Sequence, residues 1–251
     1  MSSHDHAPAH VVKSHICVLL FDARSGPGED PLAIWTRLKV FINTYLSKNR
    51  RHFVSLILYG TENVQVVYPP TQFEQRERAA KEASGATAEK PPPYVPWESL
   101  SWPVRLKEIN TQMALYPQHF PPAQAGQTVG TITAAISTGL SIANKFLNGQ
   151  KEIGVRSSAR MLLVHRNSRY HAKEYLAMMN CIFCAEKLHI PIDACALQYD
   201  KTGDNKLETL TQAASITRGL YFELDSSRHN AFLQWLFTIF FAHTERRDLV
   251  S

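Results

Sequence analysis

Cys181-x-x-Cys184 has the spacing of a redox dithiol or of half a zinc site. A zinc ion takes four ligands, and no second Cys pair and no His at ligand spacing accompanies this one. The pair falls inside a helical pattern, and Cys17 and Cys195 lie in apolar runs, so all four cysteines read as core side chains. The eleven histidines are scattered, and His4, His6 and His10 belong to a polar start. There is no Gly-x-Ser-x-Gly elbow and no Walker loop, and Gly26-Pro27-Gly28 lacks the third glycine and the ribose-binding acid of a dinucleotide fingerprint. With no nucleophile–base pair and no phosphate cradle, no enzyme is expected.

Composition narrows the classes further. The 251 residues carry 27 Lys+Arg and 22 Asp+Glu, a net charge of +5, with 44% hydrophobic residues, so a disordered or fibrous chain is excluded. The basic residues are spread along the sequence, Arg50-Arg51 being an ordinary helix-end pair, and direct nucleic-acid contact is not expected. Four cysteines cannot staple a domain of this size, which favours a reducing compartment. No export signal is read in Met1–His10. The most apolar stretch, Ala231–Ala242, spans twelve residues, short of the roughly twenty that cross a bilayer, so a soluble protein is expected.

The elements that must position any site alternate. Ile16–Phe21 is a continuous apolar run, as in a strand buried on both faces, and Pro31 opens a helix with Ile34, Leu38, Phe41, Ile42 and Tyr45 on one side. Phe53–Gly60 and Asn63–Pro69 are β-rich runs too close for a crossover, so they form an antiparallel hairpin. Residues 69–122 hold ten of the fourteen prolines and read as a surface insertion, partly disordered, with one short helix over Arg105–Leu115. Then follow a helix over Thr128–Asn148 stopping before Gly149, strand Arg160–His165, helix Tyr170–Leu188, strand Ile192–Leu197, helix Lys206–Thr217 ended by Gly219, strand Leu220–Leu224 and helix His229–Ala242. The expectation is one α/β domain over 1–251 with a flexible N-terminus at 1–12: a Rossmann-like, six-stranded, mostly parallel sheet with one antiparallel strand and helices on both faces.

That order of elements is the von Willebrand factor A arrangement. Within it, Ser158–Leu197 (with Met179-Asn180-Cys181-Ile182-Phe183-Cys184-Ala185, then Ile192-Asp193-Ala194-Cys195), Gln212–Leu224 and Phe232–Phe241 resemble the smaller von Willebrand A-like core subunit of the transcription and DNA-repair factor TFIIH. The N-terminal half agrees in element order and in Phe21-Asp22-Ala23. The resemblance implies a non-catalytic nuclear scaffold in transcription initiation by RNA polymerase II and in nucleotide excision repair. It implies docking onto the larger von Willebrand A-like subunit, through that partner's RING-like zinc region, and onto other TFIIH core subunits. In this family a cysteine-rich zinc-binding domain follows the last helix. The sequence ends at Ser251 without one, so zinc is expected only in that domain and no cofactor within 1–251.

Metal-binding von Willebrand A domains hold Mg²⁺ on an Asp-x-Ser-x-Ser loop with Thr and Asp from two later loops. Here the loop is Asp22-Ala23-Arg24-Ser25-Gly26, with Arg24 and Gly26 at the serine positions, and His165-Arg166-Asn167 stands where metal binders offer an acid. Thr131 or Thr133 is available as a hydroxyl, but one acid and one hydroxyl cannot satisfy Mg²⁺. The site reads as degenerate, with Asp22 paired to Arg24 or Arg166 or capping a backbone amide. The alternatives are a metal-dependent or ubiquitin-handling adaptor outside TFIIH and a small-molecule-binding α/β enzyme.

Two helices point to partners. On the 128–148 helix, Val129, Ile132, Ile136, Leu140, Ala143 and Leu147 form the sheet-facing stripe. The other side carries Thr131, Ala134, Thr138, Ser141, Ile142 and Lys145, small and nearly uncharged, and is expected to bind protein rather than lie under the insertion. The last helix is apolar all round, so Phe237 and Phe241 form a secondary apolar surface.

Overall fold

Ile16–Phe21 is apolar at every position because helices cover the strand that carries it from both sides. The computed structural model describes residues 13–23, 31–60, 63–70, 96–115, 131–166, 175–198, 208–225 and 229–240. Strand β1 (Lys13–Asp22) lies inside a six-stranded sheet with β2 (His52–Tyr59), β3 (Val64–Tyr68), β4 (Arg156–Arg166), β5 (Ile192–Gln198) and β6 (Tyr221–Asp225). The order is β3-β2-β1-β4-β5-β6; β2 and β3 run antiparallel and every other pair is parallel, as expected.

The helices are α1 (Pro31–Lys48), α2 (Trp102–Leu115), α3 (Thr131–Glu152), α4 (Tyr175–Lys187), α5 (Glu208–Thr217) and α6 (His229–Trp235), the last running on as a π-helical turn, Leu236–Phe240. Strand alternation assigns them to sides. Val18 of β1 and Met161 of β4 lie against Gly139 of α3. On the opposite pleat, Phe21 meets Trp35 of α1 at 5.7 Å between ring centroids, and Arg160 stacks over Phe240 at 3.6 Å. α3, α4 and α5 therefore share one face, and α1 and α6 the other. Among the described residues no helix is long and apolar enough to cross a membrane.

Several boundaries differ from the sequence expectation. β1 and β4 extend outward to Lys13 and Arg156, which pair with each other beyond the apolar core. α3 continues past Gly149 to Glu152. Its buried stripe is Ile132, Ala135, Ile136, Leu140, Ala143 and Phe146, while Leu147 is half-buried and Val129 lies outside the described residues.

The largest difference concerns the proline-rich stretch 69–122, of which the described segment 96–115 belongs to the core. Trp97 packs on Phe53, Tyr68 and Phe146 at 5.6, 6.1 and 6.0 Å. The guanidinium of Arg105 lies 3.9 Å over Phe53 and donates to the carbonyls of His52 and Arg50 at 3.1 and 2.5 Å. Trp35 Nε1–H donates to the Met113 carbonyl at 3.0 Å, joining α2 to α1. A passive surface insertion has no reason to bury Trp97, Ile109 and Met113.

Candidate functional site

Open α/β sheets bind ligands at the carboxyl ends of the strands where the strand order reverses. Here that point lies between β1 and β4, and Asp22 is the last residue of β1. Its side chain is fully buried; Oδ2 accepts the backbone N–H of Arg166 at 3.2 Å and lies 3.4 Å from His165 Nδ1. The same imidazole nitrogen is 2.9 Å from the Tyr59 hydroxyl, with the two rings parallel within 7°. Tyr59 also lies 3.4 Å from the Val164 carbonyl.

These contacts define what the cluster can do. Nδ1 either accepts the Tyr59 proton or carries a proton toward Asp22, and it cannot do both. In the second state the Tyr59 hydroxyl turns to the Val164 carbonyl. Such a cluster ties β1, β2 and β4 together at their ends. It suits a divalent ion poorly, because hard cations want several oxygen donors and this set offers one carboxylate, already held by an amide, with an imidazole and a phenol. Among the described residues no three His, Cys, Asp or Glu side chains come together as a metal site. Arg24 and Gly26 lie outside the described residues; among the pairings expected for Asp22, the amide cap is present.

The cysteine pair departs from expectation. Cys17 and Cys195 are buried, but Cys181 is half-buried and Cys184 is exposed, so Cys184 is not a core side chain. Burial pushes the Cys181 thiol up, with the neighbouring Cys184 adding to it.

On α3, Ala134, Ser141 and Lys145 are exposed, as is Ser137, which the sequence reading passed over. Thr138 is half-buried, and Ile142 is half-buried against the core rather than fully outward. Thr131 is the first residue of the helix. The hydroxyls of Thr138 and Ser141 donate to the carbonyls of Ala134 and Ser137 at 2.8 and 3.0 Å, so their polar atoms are already satisfied. The segment 96–115 packs on α1, β2 and β3 and reaches α3 through Trp97 at the buried Phe146, while Ala134, Ser137, Ser141 and Lys145 stay exposed.

Beside it, α4 exposes Leu176 at 76% and Phe183 at 45%, on the side opposite its buried Met178, Ile182 and Ala185. The signal was present as two apolar residues seven apart, out of phase with the buried set. The other expected apolar surface is mostly closed: Phe237 is half-buried and meets Phe41 edge-on at 6.3 Å, and Phe241 lies outside the described residues.

A family model described as transcription factor Tfb4 matches residues 30–251. The general transcription and DNA repair factor IIH subunit TFB4 of Candida glabrata is 27% identical over 236 residues, covering 92% of this chain and 66% of that protein. General transcription factor IIH subunit 3 of Dictyostelium discoideum is 26% identical, covering 84% of this chain and 53% of its own length. The chain thus spans between about half and two-thirds of these relatives. Among solved structures, the TFIIH p34 N-terminal domain superposes with a TM-score of 0.60 at 19% identity, covering 89% of this chain and 96% of that one. The human COPII-coat protein Sec24c gives 0.55 at 11% identity over 90% of this chain and 31% of its own. At these identities the two structures establish the shared fold.

Proposed function

Because the chain belongs to the Tfb4 transcription-factor family, we propose that it is a non-catalytic scaffold subunit of the general transcription and DNA-repair factor IIH, acting in the nucleus in RNA polymerase II initiation and nucleotide excision repair. Its partner is the larger von Willebrand A-like subunit, engaged through that protein's RING-like zinc region, with other core subunits around it. The observation that carries this reading is the outer surface of α3, where Ala134, Ser137 and Ser141 are exposed without charge. A surface helix with no partner would be charged there. Small side chains whose hydroxyls are already bonded lose little entropy on docking, and the exposed Leu176 and Phe183 of α4 add apolar area beside them. The contact set is Thr131, Ala134, Thr138, Ser141, Ile142 and Lys145.

The buried Asp22–His165–Tyr59 cluster fits this role, since it offers no exposed nucleophile and a poor donor set for Mg²⁺. We assign residues 1–251 no catalytic residue, cofactor or metal. Ala134→Glu and Ser141→Glu place charge on the face without touching the core. Each is expected to weaken co-purification with the larger subunit at least about tenfold while circular dichroism stays unchanged. Full retention of the partner by both variants discards the assignment.

A further inference from the structure

Cations that are dispersed in the sequence meet at one edge of the sheet, where β1, β2 and β4 begin. Lys13 and Arg156 are register partners at the starts of β1 and β4. Arg50 and Arg51 form the turn into β2, and the Arg51 carbonyl accepts the His15 N–H at 3.1 Å, fixing that turn beside β1. Lys48 ends α1 and Lys151 lies in the last turn of α3. That helix end is fastened to β1 by the Ser14 hydroxyl, which donates to Gln150 Oε1 at 2.8 Å. Neighbouring strands stand about 4.8 Å apart, so three of them bring Lys13, Arg51 and Arg156 within roughly 10–15 Å of one another, and Lys48 and Lys151 flank them from the helices on the two faces. Five of the six are exposed and Lys13 is half-exposed; Glu152 is the one acid in segments 13–15, 48–52 and 150–156.

Helix ends account for part of this. Lys48 and Lys151 complement the negative carbonyl ends of α1 and α3. Lys13 and Arg156 stand on strands, where there is almost no dipole to answer, and Arg50 and Arg51 lie past the end of α1.

We propose that this edge binds the phosphate backbone of duplex DNA, independently of base sequence, through Lys13, Lys48, Arg50, Arg51, Lys151 and Arg156. The inference rests on the placement of the cations and not on the reading of α3. Arginine forks match phosphate oxygens, and releasing counterions from the duplex favours such contacts. An acidic protein segment fits less well. The three segments expose no Tyr, Trp or Phe and a single aliphatic, Ile153, whereas protein interfaces draw most of their energy from such anchors.

The test is fluorescence anisotropy of a labelled duplex of about 20 base pairs with the full chain, across about 50–200 mM potassium chloride. Six phosphate contacts predict a slope of log K against log salt near −5, at about −0.9 per contact. Arg50→Gln/Arg51→Gln/Arg156→Gln is expected to make the slope shallower by about 3, and Lys107→Gln/Lys187→Gln to leave it unchanged. If the triple variant loses its circular dichroism spectrum, Arg51→Gln and Arg156→Gln singly are each expected to change the slope by about 1. Failure to bind the duplex at the lowest salt, or a wild-type slope in the arginine variants, overturns the proposal. So does displacement of the duplex by a Glu-rich peptide at equal charge concentration, which assigns the edge to an acidic protein instead.

Discussion

Asp193 has no solvent exposure, yet it is satisfied on both oxygens: Oδ2 takes the Arg160 guanidinium at 2.7 Å and Oδ1 the Leu220 N–H at 2.8 Å. Arg160 also donates to the Phe240 carbonyl at 2.6 Å, so one arginine joins the sheet to the π-turn after α6. Burial pushes the carboxyl up to about 6, against the opposing pull of Arg160 and the amide. A raised carboxyl makes stability from this group complete below its unfolded value of 3.8 and lost as pH rises through about 6, the reverse of ordinary acid unfolding. The Asp193 carboxyl carbon, followed by NMR, is expected to titrate near 6; a midpoint under 3.8 refutes this order of effects. The Ile-Asp-x-Cys run was visible in the sequence as part of a resemblance. Its physical work was not, because Arg160 lies 33 residues away and becomes a neighbour only through β4–β5 pairing.

Among the elements, helix ends show where local reading succeeds and stops. α3 passes through Gly149 to Glu152 and is capped by Gly154, whose φ of 70° closes a Schellman turn: Gly154 N–H meets the Lys151 carbonyl at 3.0 Å and Val155 N–H that of Gln150 at 2.9 Å. The sequence places the stop before Gly149, but the buried Phe146 and Gln150 hold the helix on the core one turn further. Gly219 follows α5 as expected, but the left-handed residue there is Arg218, at φ 58°. Gly219 is needed for another reason, since a Cβ on it would stand 1.9 Å from the Ile192 carbonyl oxygen of β5. α2 carries the sharper prediction. Arg105→Ala removes two hydrogen bonds and a ring contact and is expected to cost about 2–4 kcal/mol in urea unfolding, against less than about 0.5 for Lys107→Ala. Equal, near-neutral effects would restore the view of a passive insertion.

Across the whole molecule, β1 and β4 pair on both sides with other strands and lie under helices, whereas β3 and β6 are edges. Amide exchange should follow this: Cys17–Leu20 and Met161–Val164 opening only with global unfolding, Val64–Val66 and Tyr221–Leu224 sooner, as local opening frees one ladder only. Exchange at uniform rates over all six strands contradicts it. Element types and strand directions were readable from the sequence alone, because periods of 2 and 3.6 residues and short connections are local physics. So was the unlikeness of the Asp22 loop to a metal loop, since ligand chemistry is set by residue type. Three things were decided only in three dimensions: that 96–115 packs into the core, that Asp22 meets His165 and Tyr59, and that six cations gather at one edge. The reason is common to all three. Each depends on tertiary packing, helix on sheet for 96–115 and parallel strand pairing for the other two, that brings residues dozens of positions apart side by side, and no local pattern in the chain encodes who those neighbours are.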